Sequence, residues 1–468
     1  MKRAQAVVIG AGPGGYVAAI RLAQLGVQTV IIERDELGGV CLNWGCIPSK
    51  AYIGAADVFS SIQHADEIGI KTAKPTIDLD KTRQWKDTIV KRLTTGIGGL
   101  LTNAGVETVF GEARFKDKNT LIIKDKDGKE SELGFDNCMI GTGSRSLEIP
   151  PFPYDGKDVI SSTEALDLTK VPKDLCVIGG GVIGLEIGIY LNTFGANVTV
   201  VEMLDQVLPG IDPEIVKALS RELKKKKIKV HTKTKALGYT GKNGKLEVQI
   251  EDAKGKKSSI PADKILVSVG RRPNTESLAL DKVGVELDAR GFIKVNNKLQ
   301  TNQPNIYAIG DVCGGMLLAH KASKEGLVAA AVIAGQNEVY DVKAMPGAIF
   351  TVPEIATVGL TEDEAKAKGH EVRVGKFPFA ALGKALASRH TEGFVKIVSD
   401  KETDLVLGVH VIGAHASDII SEACLAIEMG ACAEDIALTV HPHPTLGESM
   451  MEAAEAVHGM AVHMFNPK

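Results

Sequence analysis

No stretch of the 468 residues runs for about eighteen apolar positions without a break, so the sequence offers no membrane-spanning helix. A broad basic surface is missing too: 55 Lys and Arg face 58 Asp and Glu, a formal charge of −3, which argues against nucleic acid as a partner. The one dense basic run, Lys224 to Lys227, follows Leu223 and reads as a solvated helix end stabilised by the helix dipole. Cysteine is scarce and irregular. Seven is an odd number without a regular framework, which disfavours a secreted, disulfide-stapled protein and fits a cytoplasmic or organelle-matrix compartment. Lys2 and Arg3 ahead of the apolar Ala6 to Ile9 imitate a signal peptide, but glycines interrupt the stretch and no cleavage pattern follows; a buried first strand is expected instead. What is present is ordinary globular composition, 44% apolar and 24% charged, with an unusual 50 glycines and a length that suggests three or four domains.

The glycines are explained by an internal repeat. Residues 7–15, VVIGAGPGG, form a short apolar strand entering G-x-G-x-x-G at Gly10, Gly12 and Gly15; a helical stretch and a second strand, Thr29 to Ile32, then end in Glu33. In this fingerprint the first glycine makes the turn, the second lets backbone amides approach a pyrophosphate and the third allows close helix packing, while the acid accepts from ribose hydroxyls. The pattern returns at Gly179, Gly181 and Gly184, with Val198 to Val201 ending in Glu202. Gly10 to Glu33 and Gly179 to Glu202 are both 23 positions apart. One such motif is weak; two, each with strand, helix, strand and acid, imply two dinucleotide sites. Each copy runs on into a β-meander marked by Asp127-Gly128 or Asn243-Gly244, and the proline-rich 149–153 reads as the linker between them. A buried strand ending at Gly310-Asp311 places a carboxylate where α/β proteins bind ligands. From about Pro346 the texture becomes α+β, with paired strands at 395–398 and 406–412 and a helix from about Ser417 to Met429.

Between the first copy and its meander lies GGVCLNWGCIPSK, residues 38–50. Cys41 and Cys46 have no second close pair to complete a zinc site, and the surrounding glycines and Pro48 argue for a special backbone rather than an inert core pair. Pro48 suits the first turn of a helix, which puts Lys50 four residues after Cys46 on one face; helix start and ammonium both favour a thiolate at Cys46. Sulfur takes hydride from a nicotinamide only poorly, so a flavin intermediary explains the second dinucleotide site. Thiol exchange also needs a base. HPHPTLGE, residues 441–448, supplies histidines on a proline-stiffened segment with Glu448 as orienter, and spacing alone leaves His441 and His443 open.

GGVCLNWGCIPSK, GGGVIGLE, YAIGD, AHKA and HPHPTLGE, in that order, make the chain resemble the pyridine nucleotide-disulfide oxidoreductases over essentially its whole length, most closely the branch that oxidises dihydrolipoamide. The resemblance implies an α/β architecture of two Rossmann-like domains with β-meanders and an α+β dimerisation domain: FAD binding over 1–148, NAD binding over 149–271, a return to the FAD region over 272–345 and dimerisation over 346–468. It implies one tight, non-covalent FAD per subunit, held by Gly10, Gly12, Gly15, Glu33, Lys50, Gly111, Thr142, Gly143, Ser144, Gly310, Asp311, Ala319 and His320. NAD⁺ would be held by Gly179, Gly181, Gly184, Glu186, Glu202 and Gly270, and no metal is implied. Position by position, Cys41 resembles the interchange thiol, Cys46 the thiol facing the flavin, Lys50 and Glu186 an ion pair beside it, and His443 with Glu448 the acid-base pair.

A homodimer follows from the resemblance, with the cysteines of one subunit served by His443 of the other. So do partners: lipoyl domains and the core acyltransferase of 2-oxoacid dehydrogenase complexes, or the lipoyl carrier of glycine cleavage. The chain departs from the family's pattern at Gly447, commonly serine or another polar residue, and at 140–144, IGTGS, where Ala-Thr-Gly is more usual; neither departure touches a proposed chemical role. NADPH-linked glutathione-type or mercuric reductases fit less well, since residues 203–206, MLDQ, offer no arginine for a 2′-phosphate and the tail has no cysteine pair. A flavin-bearing subunit without catalysis is opposed by the intact Cys41, Cys46, His443 and Glu448.

Overall fold

The computed structural model of the chain describes residues 2–466. It separates into two compact units, one built from the chain up to Gly156 with Ile160–Lys170 and Val269–Asp341, the other from Lys157–Val159, Val171–Ser268 and the chain from Val342 onward.

In the first unit, β1 (Lys2–Ile9) leads into α1 (Pro13–Gln24) and returns as β2 (Thr29–Glu33). Val7, Val8, Ile9, Val30, Ile31 and Ile32 are all buried. Each contributes about 1.5–3 kcal/mol by leaving water, and the unbroken apolar runs are those of a parallel sheet covered on both faces. β1 lies between β2 and the long strand Glu130–Ile140, parallel to both. That long strand has two roles, pairing parallel with β1 through Leu133 to Ile140 and antiparallel with Thr120–Lys124 through Glu130 to Gly134. The meander expected around Asp127-Gly128 is therefore fused to the nucleotide sheet. The late strand Ile306–Ala308 returns to this sheet, pairing parallel with residues 138–140.

The second unit repeats the plan with Asp174–Ile178, the helix Val182–Thr193 and Asn197–Val201. Lys229–His231, Asn197–Val201, Asp174–Ile178 and Lys264–Val267 are parallel neighbours in that order. Its meander, Lys235–Lys242, Lys245–Glu251 and Lys257–Ala262, forms a separate three-stranded sheet. The hairpin turns at Asn243 (φ 54°) and Gly244 (φ 72°), the paired positive φ of a type I′ turn. The α+β region is a five-stranded antiparallel sheet on which the helices Ala416–Met429 and Glu448–Val457 pack, enclosing Phe377, Phe379, Val395, Ile397, Val409 and Ala453.

A buried ionic cluster joins the parts of this unit. Lys396 Nζ reaches Asp212 (2.9 Å), which caps the helix Pro213–Lys225, and also Glu214 (2.9 Å) and Glu362 (3.1 Å). Three carboxylates offset the desolvation of one ammonium, and the geometry specifies a single docking of helix on sheet. Lys224 and Lys225 end that helix in the exposed position expected of a solvated terminus. Among the described residues, no helix is long and apolar enough to cross a membrane.

Candidate active site

The cysteine segment forms two consecutive helices, α2 (Gly39–Trp44) and α3 (Cys46–Gln63), broken at Gly45. A side chain at Gly45 would press on the Val40 carbonyl at 2.9 Å, so the break tolerates little else. Cys41 thus stands inside a short helix that glycine-rich sequence concealed, whereas Cys46 opens α3, with Pro48 in its first turn and Lys50 one turn on. The cysteines are unbridged. A hydrogen bond to Cys46, then burial, push the Cys41 thiol far above the usual thiol range. Cys46 at the start of α3 stands where a helix N-terminus favours a thiolate.

Arg271, which the sequence argument left without a role, lies in the electrostatic field of Cys46. Burial depresses its basicity, and the charges of Asp311 and Cys46 oppose that. Its Nε donates to Ser144 Oγ (2.7 Å) and its Nη2 to the Ser144 carbonyl (2.7 Å), while Ser144 Oγ donates to Asp311 Oδ2 (2.5 Å). Thr142 Oγ1 donates to the Asn274 carbonyl (2.8 Å), and the Asn274 amide returns to the Gly143 carbonyl (3.0 Å). Ser144, Asp311, Thr142 and Gly143 are thereby brought together at the ends of the strands Glu130–Ile140 and Ile306–Ala308. Gly310 donates to Glu325 Oε2 (2.7 Å), a buried carboxylate paired with Lys321 (2.6 Å). Glu325 was also missed; its signal is the i,i+4 spacing from Lys321 on the helix Ala319–Ile333, which Ala319 and the exposed His320 begin.

The two glycine turns can be compared directly. Gly10 and Gly179 have φ of 97° and 101°, the left-handed region that excludes a β-carbon at little cost only for glycine. A β-carbon on Gly15 would meet the Gly10 carbonyl at 1.8 Å, and one on Gly184 the Gly179 carbonyl at 2.6 Å, so both helices approach their strands as closely as the fingerprint requires. At Gly12 and Gly181 an added β-carbon meets nothing within 4 Å, and neither helix start carries a side-chain cap. Open space at the second glycine and a helix start without a side-chain cap fit a pyrophosphate at each cradle. Glu33 ends its strand and Glu202 immediately follows its own, and both are buried. Gly111, next to the first cradle, donates to the Glu33 carbonyl (2.8 Å), and the Gly270 carbonyl accepts from Leu147 (3.0 Å). Lys50 stands on α3; Glu186, on the helix Val182–Thr193, accepts from the Phe350 amide at 2.9 Å.

The histidine segment separates the two candidates. His441 is 6% exposed with both ring nitrogens engaged, Nδ1 at the Thr439 carbonyl (2.8 Å) and Nε2 at Glu422 (2.9 Å). His443 is 77% exposed, with Nδ1 at Glu448 Oε1 (2.8 Å). Glu448 begins the helix Glu448–Val457, and its other oxygen accepts from the Thr445 amide (2.8 Å). Burial works against its charge, yet the Thr445 amide and the His443 ring hold the carboxyl below its ordinary value. An ionised orienter on Nδ1 and an accessible Nε2 are the attributes of a general base.

A thiol pair beside one dinucleotide cradle, a second cradle and a base on a separate domain define a pyridine-nucleotide-linked disulfide oxidoreductase. Residues 4–326 match the pyridine nucleotide-disulphide oxidoreductase family and residues 345–454 its dimerisation domain, and the chain belongs to that family. It is 49% identical to the dihydrolipoyl dehydrogenase of Thermus scotoductus over 468 residues, all of both chains. It is 47% identical to that of Bacillus subtilis over 98% of this chain and 97% of the relative. Among solved structures, LpdA from Mycobacterium tuberculosis matches 97% of this chain and 99% of its own (TM-score 0.90, 27% identity). The HOCl-induced flavoprotein disulfide reductase RclA from Escherichia coli matches 95% and 98% (TM-score 0.85, 26% identity).

Proposed function

We propose that this chain oxidises dihydrolipoyl groups and reduces NAD⁺, working as a homodimer in which His443 of one subunit serves the cysteine pair of the other. The observation that carries this reading is the inequivalent placement of the two thiols: Cys41 lies half-buried within α2, whereas the exposed Cys46 opens α3 one turn before Lys50. His443 Nε2 accepts a proton from one substrate thiol, while Glu448 holds Nδ1 and stabilises the imidazolium. The substrate thiolate attacks Cys41 Sγ of the oxidised pair, the Cys41–Cys46 bond breaks, and Cys46 leaves as thiolate. The second substrate thiol attacks the substrate sulfur of the mixed disulfide, and its proton passes to Cys41 as that sulfur leaves. The cyclic disulfide closes, and the raised thiol value of Cys41 favours that uptake. The first cradle, with Lys50, Ser144 and Asp311, would hold FAD, which when bound would supply the two-electron relay between the cysteine pair and NAD⁺.

Ser144, Asp311 and Arg271 are assigned to the flavin side, with Lys50; Glu186 and Glu202 are assigned to the nicotinamide dinucleotide. The lipoyl groups would be those of 2-oxoacid dehydrogenase or glycine-cleavage proteins, in the cytoplasm or an organelle matrix. Purified enzyme, dihydrolipoamide and NAD⁺ test the reading by the absorbance of NADH formed. No NADH from this mixture, together with NADPH-driven reduction of glutathione disulfide or mercuric ion, would replace it with one of the sister activities.

A further inference from the structure

We propose that Glu33 and Glu202 each hold the glycine turn of their cradle in shape before a nucleotide arrives, a positioning role separate from contact with ribose. The two carboxylates make the same bonds at the same relative positions. Glu33 Oε2 accepts from the amide of Ala11, one residue beyond the first glycine, at 2.7 Å; Glu202 Oε2 accepts from Gly180, also one beyond, at 2.7 Å. Glu33 Oε1 accepts from Asp35 and Glu202 Oε1 from Leu204, each two residues past the acid, at 2.8 Å. The positive φ of Gly10 and Gly179 turns the next amide inward, away from water and from any helical acceptor. Such a donor is costly to leave unpaired, and an ionised acceptor gives the stronger kind of hydrogen bond. The Gly180 position is also closed from the other side, since a β-carbon there would lie 3.3 Å from Glu202 Oε2.

Each carboxylate thus ties the turn after the first strand to the chain leaving the second, and fixes where the first-turn amides point. Four lone-pair sites per carboxylate leave room for ribose hydroxyls in addition. Glutamine cannot substitute, because its carboxamide offers one acceptor and one donor group to two N–H donors. A slackened turn binds pyrophosphate poorly whatever sugar is attached. Neutralising Glu202 therefore does not by itself admit a 2′-phosphate.

The inference rests on the second cradle being the NAD site, and the test keeps the two apart. FAD-loaded wild type and Glu202→Gln are titrated calorimetrically with NADH and with an analogue lacking both hydroxyls of the adenosine ribose, for which ribose recognition by the acid is absent. Glu202→Gln should weaken the analogue by about ten- to a hundredfold, the loss of a charge-assisted hydrogen bond. Analogue affinity equal in the two proteins, with NADH alone weakened, would overturn the positioning role and leave the site intact. No NADH binding by wild type would overturn the site assignment and the inference with it. Should the variant not fold, hydrogen exchange in nucleotide-free wild type decides: the Gly180 and Leu204 amides should exchange at least about a hundredfold more slowly than in unstructured peptide. Exchange at the unstructured rate would refute the proposal.

Discussion

The two cradles share turn, helix, strand and acid, and diverge immediately after the acid. Beyond Glu33 the chain enters α2 and α3, carrying Cys41, Cys46 and Lys50 beside the first cradle. Beyond Glu202 it passes through the exposed Met203 and Leu204 to the helix Pro213–Lys225, which carries no cysteine and docks through Asp212 on Lys396. The glycine turn, helix and acid are thus shared by both copies, whereas the cysteine pair belongs to a segment present in only one of them.

The largest effects should follow from changes confined to the first copy. Cys41→Ser and Cys46→Ser should each abolish lipoamide turnover while leaving NADH oxidation by artificial acceptors, measured side by side in steady state. Lipoamide turnover surviving either change would show that the cysteine segment is not where the chemistry resides. Next comes the base. His443→Gln should lower dihydrolipoamide turnover by about 10²–10⁴-fold, with flavin content and NADH-to-flavin hydride exchange nearly unchanged in stopped flow. Glu448→Gln should give a milder loss with the same selectivity, and His441 substitutions should act through stability, because both ring nitrogens of His441 are engaged.

At the second copy the expected effect is smaller. NAD⁺ should be preferred over NADP⁺ by more than about tenfold in kcat/KM, a difference of about 1.4 kcal/mol, since Glu202 repels a 2′-phosphate and Met203 to Gln206 supply no arginine. Comparable values for the two would break the comparison between cradles. Smallest is a pH effect. The Glu448 carboxyl is lowered in the fold, so its contribution to stability is present above the unfolded carboxylate value and is lost as pH falls through the folded one. The stability difference between wild type and Glu448→Gln, from thermal melts, should therefore shrink only below the ordinary carboxylate range.

Local signals carried most of the fold. Strand-turn-helix at each fingerprint, the Asn243-Gly244 hairpin and the helix observed at Ala416–Met429 are all set by near neighbours in sequence. The fusion of the first meander to its sheet depends instead on one strand, Glu130–Ile140, serving two partners, which no local pattern encodes. The helix around Cys41 was hidden because glycine-rich residues read as turn, and packing overrides that propensity. Choosing between His441 and His443 requires Glu422, nineteen residues before His441, and so depends on tertiary structure. Arg271 and Glu325 escaped notice for the same reason: their partners, Ser144 and Gly310, are distant in sequence or belong to the backbone.

The assignment of the two sulfurs underlies the whole account, and the visible spectrum of the two-electron-reduced enzyme tests it. Cys41→Ser should retain a long-wavelength thiolate-to-flavin absorption, because Cys46, at the start of α3, remains to supply the thiolate. Cys46→Ser should lack it. A band that disappears in Cys41→Ser and persists in Cys46→Ser would contradict the account, placing the flavin-facing thiolate on Cys41.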